Sequence, residues 1–327
     1  MSIIIQKFGG TSLRNLNSQS NFLKQVKKEA QTGSNLVVVV SAMGRRGDPY
    51  ATDTLINKLV NIGPSIDPKK KDLIMSVGET ISAALAAHLL ENEGLPSEAL
   101  TGFQAGIITD NNFNSGKIIQ INTNKIQEYL NKNKIAVVAG FQGATESMEI
   151  TTLGRGGSDT TAVALGGALN AERVDIFTDV PGVAVTDPRL VPNARYIEKI
   201  SYDDMYRMAI NGAGVIHPDA VLLGKQHNIP VRILSTFTDE PGTLISNDKS
   251  GLKIIGFGVK KQENNSVISL IFNSDYRDEI KEELDKFLSG EKEHLINMEY
   301  FDCNASITVK NEILNEFLQK LYSNFIQ

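Results

Sequence analysis

Two short runs, LVVVV (36–40) and IAVVAG (135–140), are apolar at successive positions and rich in β-branched residues. A strand with one solvated face alternates polar and apolar residues. A run without that alternation belongs to a strand buried on both faces, as in a parallel sheet covered by helices on each side. Strand-length apolar runs recur at Ile3–Phe8, Leu36–Ser41, Ile135–Gly140, Val174–Thr178 and Ile229–Leu234. Helical spacing lies between them, with Phe22, Leu23, Val26 and Ala30 on one face and a long segment, DLIMSVGETISAALAAHLLENEG, at 72–94. Alternation of this kind predicts a three-layer α/β/α domain with a mainly parallel central sheet and a ligand crevice at the carboxyl ends of its strands.

A chain of 327 residues exceeds one small core, and two domains are expected. The α/β pattern stops near residue 245, where the turn-rich NDKSG (247–251) reads as a hinge. Beyond it the pattern gives strands at Ile254–Val259 and Val267–Phe272 and a helix at Tyr276–Leu288. Strands at Leu295–Phe301 and Ala305–Val309 and a helix at Ile313–Phe325 complete it. That ββαββα order is a cyclic shift of the ferredoxin-like βαββαβ. The expected division is therefore 1–245 and 246–327, the second a small α+β domain that gains stability by packing on a partner. Glu282, Glu283, Asp285 and Lys286 read as a solvated helix face.

Charge and cysteine content narrow the function classes. The 33 basic and 38 acidic residues leave a net charge of −5, without the basic field that nucleic acid or an anionic membrane attracts. A single cysteine, Cys303, excludes an internal disulfide and points to the cytoplasm. No uninterrupted apolar run approaches the roughly 18 residues of a membrane span. Four scattered histidines with one cysteine do not suggest a zinc site.

Three segments carry chemistry. In Lys7-Phe8-Gly9-Gly10-Thr11-Ser12 the glycines let backbone approach an anion, Thr11 or Ser12 can cap a following helix, and Lys7 adds a charge able to follow a phosphoryl group. A plain βα turn with a surface lysine is the competing reading. In Leu153-Gly154-Arg155-Gly156-Gly157-Ser158-Asp159-Thr160-Thr161, capping explains Ser158 or Asp159 but not a guanidinium between glycines, which a bidentate carboxylate partner does explain. In Phe177-Thr178-Asp179-Val180-Pro181-Gly182-Val183-Ala184-Val185-Thr186-Asp187-Pro188-Arg189, two turns mark a loop at a strand end. Its aspartates suit a nucleotide or its magnesium, or serve as turn formers, and Arg189 suits phosphates.

In this order the three segments resemble the amino acid kinase superfamily and, within it, the aspartate kinase family. Agreeing pieces are Ser41-Ala42-Met43-Gly44, Thr52-Asp53-Thr54-Leu55, Ser76-Val77-Gly78-Glu79, Gly140-Phe141-Gln142-Gly143 and Asn211-Gly212-Ala213-Gly214-Val215-Ile216-His217-Pro218. The resemblance implies the amino acid kinase fold over 1–245 and an ACT-like regulatory or dimerisation domain over 246–327. It also implies transfer of the ATP γ-phosphoryl group to the β-carboxylate of L-aspartate, the first step towards lysine, threonine and methionine. Mg²⁺ would accompany ATP, with no metal site of the protein's own and a homodimer formed through the C-terminal domain.

The implied roles follow residue by residue. Lys7 and Asp159 are catalytic, Lys7 binding ATP and stabilising the phosphoryl charge and Asp159 orienting Lys7 and the amino acid. Gly9, Gly10, Ser41, Thr178, Asp179, Ala184 and Arg189 hold ATP, the two glycines through their N–H groups. Thr52, Glu79, Phe141, Arg155 and Ser158 bind aspartate, with Arg155 on a carboxylate and Glu79 on the ammonium. Two positions depart from the family pattern: Gly214 stands where lysine is frequent, and Ala184 where a tyrosine sometimes stacks near the nucleotide. The tail has room for about one ACT unit instead of two and lacks the effector-loop patterns, so little response to lysine or threonine is expected. His217 is read as structural. A weakly active paralogue acting as a regulatory subunit, or a kinase with another carboxylate acceptor, are the competing readings.

Overall fold

A computed structural model describes residues 2–326. The chain forms two compact units, each built from discontinuous segments: residues up to Pro181 with Asp219–Pro241, and Gly182–Pro218 with the residues from Gly242 onward.

In the first unit six parallel strands lie in the order Val231–Ser235, Arg173–Thr178, Ile3–Phe8, Asn35–Val40, Ile135–Ala139, Ser97–Leu100. All five residues of Ile135–Ala139 and all but the first of Asn35–Val40 are buried, as runs without alternation require. Side chains alternate between the sheet's two faces. Ile4 and Phe8 join the core with Phe22 and Val26 of the helix Leu16–Ala30, and with Ala83, Ala86 and Leu90 of the helix Pro68–Asn92. Phe8 stacks on Phe177 at 4.6 Å and meets Phe22 edge-on at 4.7 Å. Ile5 and Lys7 fall on the other face, which the helix Gly157–Leu169 covers.

The helix Pro68–Asn92 is, by length and composition, apolar enough to cross a membrane, which corrects the expectation that no segment approaches that length. Half of its most apolar stretch is buried inside the protein, and it carries the buried carboxylates Asp72 and Glu79. It serves here as a core helix. A smaller sheet orders Ile118–Ile121, Ile107–Thr109, Gln142–Ala144 and Ile150–Thr152.

The strand Ile3–Phe8 is central, with the chain continuing to one side through Asn35–Val40 and to the other through Arg173–Thr178. Its carboxyl end is thus a topological switch point, where α/β sheets open a crevice.

In the second unit, Lys199–Ser201 pairs in parallel with Thr243–Ser246. The tail forms strands Ile254–Lys261 and Asn265–Phe272, helix Arg277–Ser289, strands Leu295–Tyr300 and Asn304–Lys310, and helix Leu314–Phe325. The antiparallel strand order, first, second, fourth, third, is what a cyclic shift of βαββαβ produces. Glu282, Glu283, Asp285 and Lys286 are exposed, with Glu283 paired to Lys253 and Asp285 accepting from the Tyr300 hydroxyl.

Candidate active site

The first unit holds a cleft of about 490 Å³ at the carboxyl ends of the sheet strands. Lys7, Ser41, Thr52, Glu79, Phe141, Arg155, Ser158 and Asp159 all line it, although they come from six separate stretches of sequence.

Lys7 reaches the cleft because strand alternation turns it towards the helix Gly157–Leu169. The first turn of that helix carries Asp159, and Lys7 Nζ lies 2.7 Å from Asp159 Oδ1, both side chains being about one-tenth exposed. This arrangement separates the two readings of the glycine-rich segment. No side chain caps the helix, and Asp159 is spent on the lysine. Gly154 and Gly156 both adopt positive φ, at 75° and 69°, a conformation that glycine reaches without strain. The turn they create presents the exposed Arg155 at the cleft.

Phe141 also has positive φ, 69°, which is strained for a bulky side chain. Its N–H donates to Thr161 Oγ1 at 3.0 Å and its carbonyl accepts from Leu153 N at 2.9 Å, which pins it in place. Gly157 allows the approach: a Cβ there would come within 2.7 Å of the Phe141 ring.

Glu79 is 3% exposed. Its Oε1 accepts the Ala42 N–H at 3.0 Å, while Oε2 is buried without a hydrogen-bond partner. Burial pushes its carboxyl up to about 8, against the opposing pull of the Ala42 N–H. A buried carboxylate with one oxygen unsatisfied is prepared for a cationic donor.

The turn after the first strand departs from expectation in two respects. Gly10–Leu13 is a short 3₁₀ turn, and the helix Leu16–Ala30 begins later, capped by Asn15, whose side chain accepts from Ser18 N. Ser12 therefore does not cap; its hydroxyl bonds that of Thr236 at 2.7 Å. The Gly9 N–H is donated to Phe177 O at 3.2 Å, so the expectation that both glycine amides are free for a ligand does not hold for Gly9. Gly10 itself admits no side chain, since a Cβ would lie 2.5 Å from Ala42 O.

Thr178 ends the strand on one side of this turn and Asp179 follows it. Asp179 forms a short ion pair with Arg45, which follows the strand on the other side. Ala184 and Arg189 belong to the second unit. Ala184 is buried and bridged to Tyr196, and Arg189 pairs with Asp187 at 2.7 Å, which also holds the Asp187 carboxyl below the usual carboxylate range.

Sequence reasoning missed Asp72, Lys71, Met75 and Asn114. Asp72 is fully buried and accepts from Asn114 N, Thr152 N and Thr152 Oγ1, while the other three line the cleft. A carboxylate at the head of an otherwise apolar helical segment was the available signal for Asp72.

A family model described as "Amino acid kinase family" matches residues 2–235. Aspartokinase 1 of Bacillus subtilis (strain 168) is 45% identical over 250 residues, covering 76% of this chain and 62% of that protein. Aspartokinase of Geobacillus stearothermophilus is 46% identical over 250 residues, covering 76% and 60%. The chain thus spans less than two thirds of the length of these relatives. Its fold is similar to that of Escherichia coli aspartokinase III in complex with aspartate and ADP, with a TM-score of 0.83, 21% identity, and coverage of 99% of this chain and 100% of that one.

Proposed function

Because the chain belongs to the amino acid kinase family, we propose that it is an aspartate kinase, transferring the γ-phosphoryl group of ATP to the β-carboxylate of L-aspartate. The observation that carries this reading is the cleft's pairing of opposite recognition groups. Arg155 suits a carboxylate, the half-satisfied Glu79 suits an ammonium, and Lys7 stands on Asp159 beside both. That the similar relatives are aspartokinases adds weight to aspartate as the acceptor.

In this mechanism Arg155 holds one carboxylate of aspartate in a bidentate clamp while Glu79 accepts from the ammonium, with Thr52, Phe141 and Ser158 shaping the wall. An oxygen of the β-carboxylate forms a bond to the γ-phosphorus as the bond from that phosphorus to the β–γ bridging oxygen breaks, and ADP departs with that electron pair. No general base takes part, because the attacking carboxylate is ionised at neutral pH. Lys7 follows the charge on the transferred group, and Asp159 fixes where its ammonium sits. Gly10 donates its amide to the phosphates, and Ser41, Thr178 and Asp179 complete the nucleotide side.

No group of three or more metal-ligating side chains occurs among the described residues. Mg²⁺ would arrive on the nucleotide, where one or two carboxylates such as Asp159 or Asp179 suffice. When bound, it neutralises charge on the β- and γ-phosphates.

Residues 246–327 serve in this reading as an ACT-like regulatory or dimerisation domain in a cytoplasmic homodimer of lysine and threonine biosynthesis. A second reading, a weakly active regulatory paralogue, draws on Gly214, which places no cation where the family often has lysine. The test is a coupled assay of ADP release by the full chain over a panel of amino acids and dicarboxylates. Release dependent on both L-aspartate and Mg²⁺ is expected; none with any acceptor would leave the paralogue standing.

A further inference from the structure

Three acceptor atoms of the cleft-lining residues are buried without hydrogen-bond partners; Asp159 Oδ1 faces the Lys7 ammonium, which leaves two without any cation or donor, Glu79 Oε2 and Asn114 Oδ1. An unsatisfied buried acceptor is uncommon in a folded protein, and two in the walls of one cavity call for a shared donor. Neither atom bonds the other, since both are without a partner, and once Glu79 is ionised both can only accept. The complement is a group with several N–H donors and positive charge, which is an ammonium.

Asn114 is held for this purpose by unusual means. Its backbone is left-handed, with φ of 69°. Its N–H donates to Asp72 Oδ2 at 2.8 Å, and the same carboxylate receives Thr152 N at 3.1 Å and Thr152 Oγ1 at 2.6 Å. Asp72 is fully buried, so this brace operates away from water, where such bonds are strongest. Thr152 leads two residues on to Gly154, where a Cβ would lie 3.5 Å from Asn114 O, and then to Arg155. Asp72 and Glu79 belong to one helix, Pro68–Asn92. A single rigid frame therefore carries Glu79, Asn114 and the arginine.

We propose that Asn114 is a specificity-determining residue, its carboxamide oxygen receiving the substrate's ammonium together with Glu79 Oε2. This rests on the reading of the cleft as an amino acid site. It explains why Glu79 alone is not the whole recognition element: one carboxylate oxygen satisfies one of the three N–H donors of an ammonium, and Asn114 takes a second.

The test compares binding of L-aspartate and of succinate, which lacks only the ammonium, to the full chain by calorimetry. Asn114→Gly removes the carboxamide yet accepts the left-handed backbone without strain. Loss of one hydrogen bond to a charged group predicts roughly tenfold weaker L-aspartate binding. Succinate affinity should stay within about twofold, because the variant removes nothing succinate uses. Asn114→Asp, which keeps an acceptor in place, should retain the preference for L-aspartate. Unchanged L-aspartate affinity in Asn114→Gly, equal weakening of both ligands, or loss of the preference in Asn114→Asp would overturn the assignment. Failure of the unaltered chain to prefer L-aspartate over succinate would instead overturn the amino acid site itself, and Asn114's role with it.

Discussion

Lys7 Nζ stands 2.7 Å from Asp159 Oδ1 across the junction of the central strand and the first turn of the helix Gly157–Leu169. The pair is largely buried, so it is screened little and its geometry is fixed by two rigid elements. On the proposed function its consequence is catalytic: the lysine is held in one place before a phosphoryl group arrives, and preorganised charge is what phosphoryl transfer requires. Lys7→Ala should lower kcat by about 10²–10³-fold, the scale of losing one such stabilising group. Asp159→Asn should lower kcat less and leave L-aspartate affinity nearly unchanged. Steady-state ADP release with both substrates varied separates the two effects, and undiminished turnover in Lys7→Ala would remove the lysine from the mechanism.

Glu79 predicts a pH dependence with a definite sign. Its folded-state pKa is raised by burial to about 8, above the ordinary value of 4.5. Between those values the folded protein binds a proton that the unfolded chain has released, so this group's contribution to stability is full below 4.5 and is lost as pH rises towards 8. Glu79→Gln cannot ionise and should show a smaller loss of thermal stability than the unaltered protein between pH 5 and pH 9. The ammonium of aspartate needs the ionised carboxylate, so L-aspartate affinity should strengthen from pH 6 to pH 8 and this slope should vanish in Glu79→Gln. Melting curves and calorimetry across the range check both halves.

The fold was readable because its signals are local. Runs such as Leu36–Val40 state their burial directly, and the tail's alternation of strands and helices needs no long-range information. The lining of the cleft was readable where a residue type conflicts with a bland role, as Arg155 does between two glycines that prove to be left-handed. Three kinds of information were not. The Asn15 cap competed with equally plausible Thr11 and Ser12, and only the three-residue delay before the helix decides it. The Gly9 amide is lost to Phe177, a neighbour made by strand pairing 168 positions later in the chain, from 9 to 177. Asn114 and Asp72 meet through a loop closure that leaves no periodic trace. The compact units are also assembled from interleaved segments, which a linear reading of composition does not reveal.

Asp72 provides a stability prediction that is independent of the chemistry. Asp72→Ala would strand the Asn114 N–H and the Thr152 N–H and hydroxyl in a buried region. Each buried group left unsatisfied costs about 1–3 kcal/mol, partly offset by no longer burying the carboxylate, so a net loss of about 2–4 kcal/mol is expected. Urea unfolding measures it. A loss below about 0.5 kcal/mol, the range of ordinary surface changes, would mean that the loop does not depend on this brace.

Gly10 and Gly214 predict opposite responses to a side chain. At Gly10 a Cβ would press to 2.5 Å from Ala42 O and 2.8 Å from Gly44 O, both backbone atoms that cannot rotate away. Gly10→Ala should therefore destabilise the protein by about 1–3 kcal/mol, and it should weaken ATP use by moving the turn that carries the amide. At Gly214 nothing lies within 4 Å of a Cβ, and the backbone is outside the left-handed region. Gly214→Lys should then change stability by no more than about 0.5 kcal/mol. If the missing cation limits the nucleotide side, the same substitution should lower the KM for ATP several-fold while the KM for L-aspartate stays fixed. Thermal melts and initial rates on the two variants test this, and an unaltered ATP KM in a stably folded Gly214→Lys would show that the site works without a cation at that position.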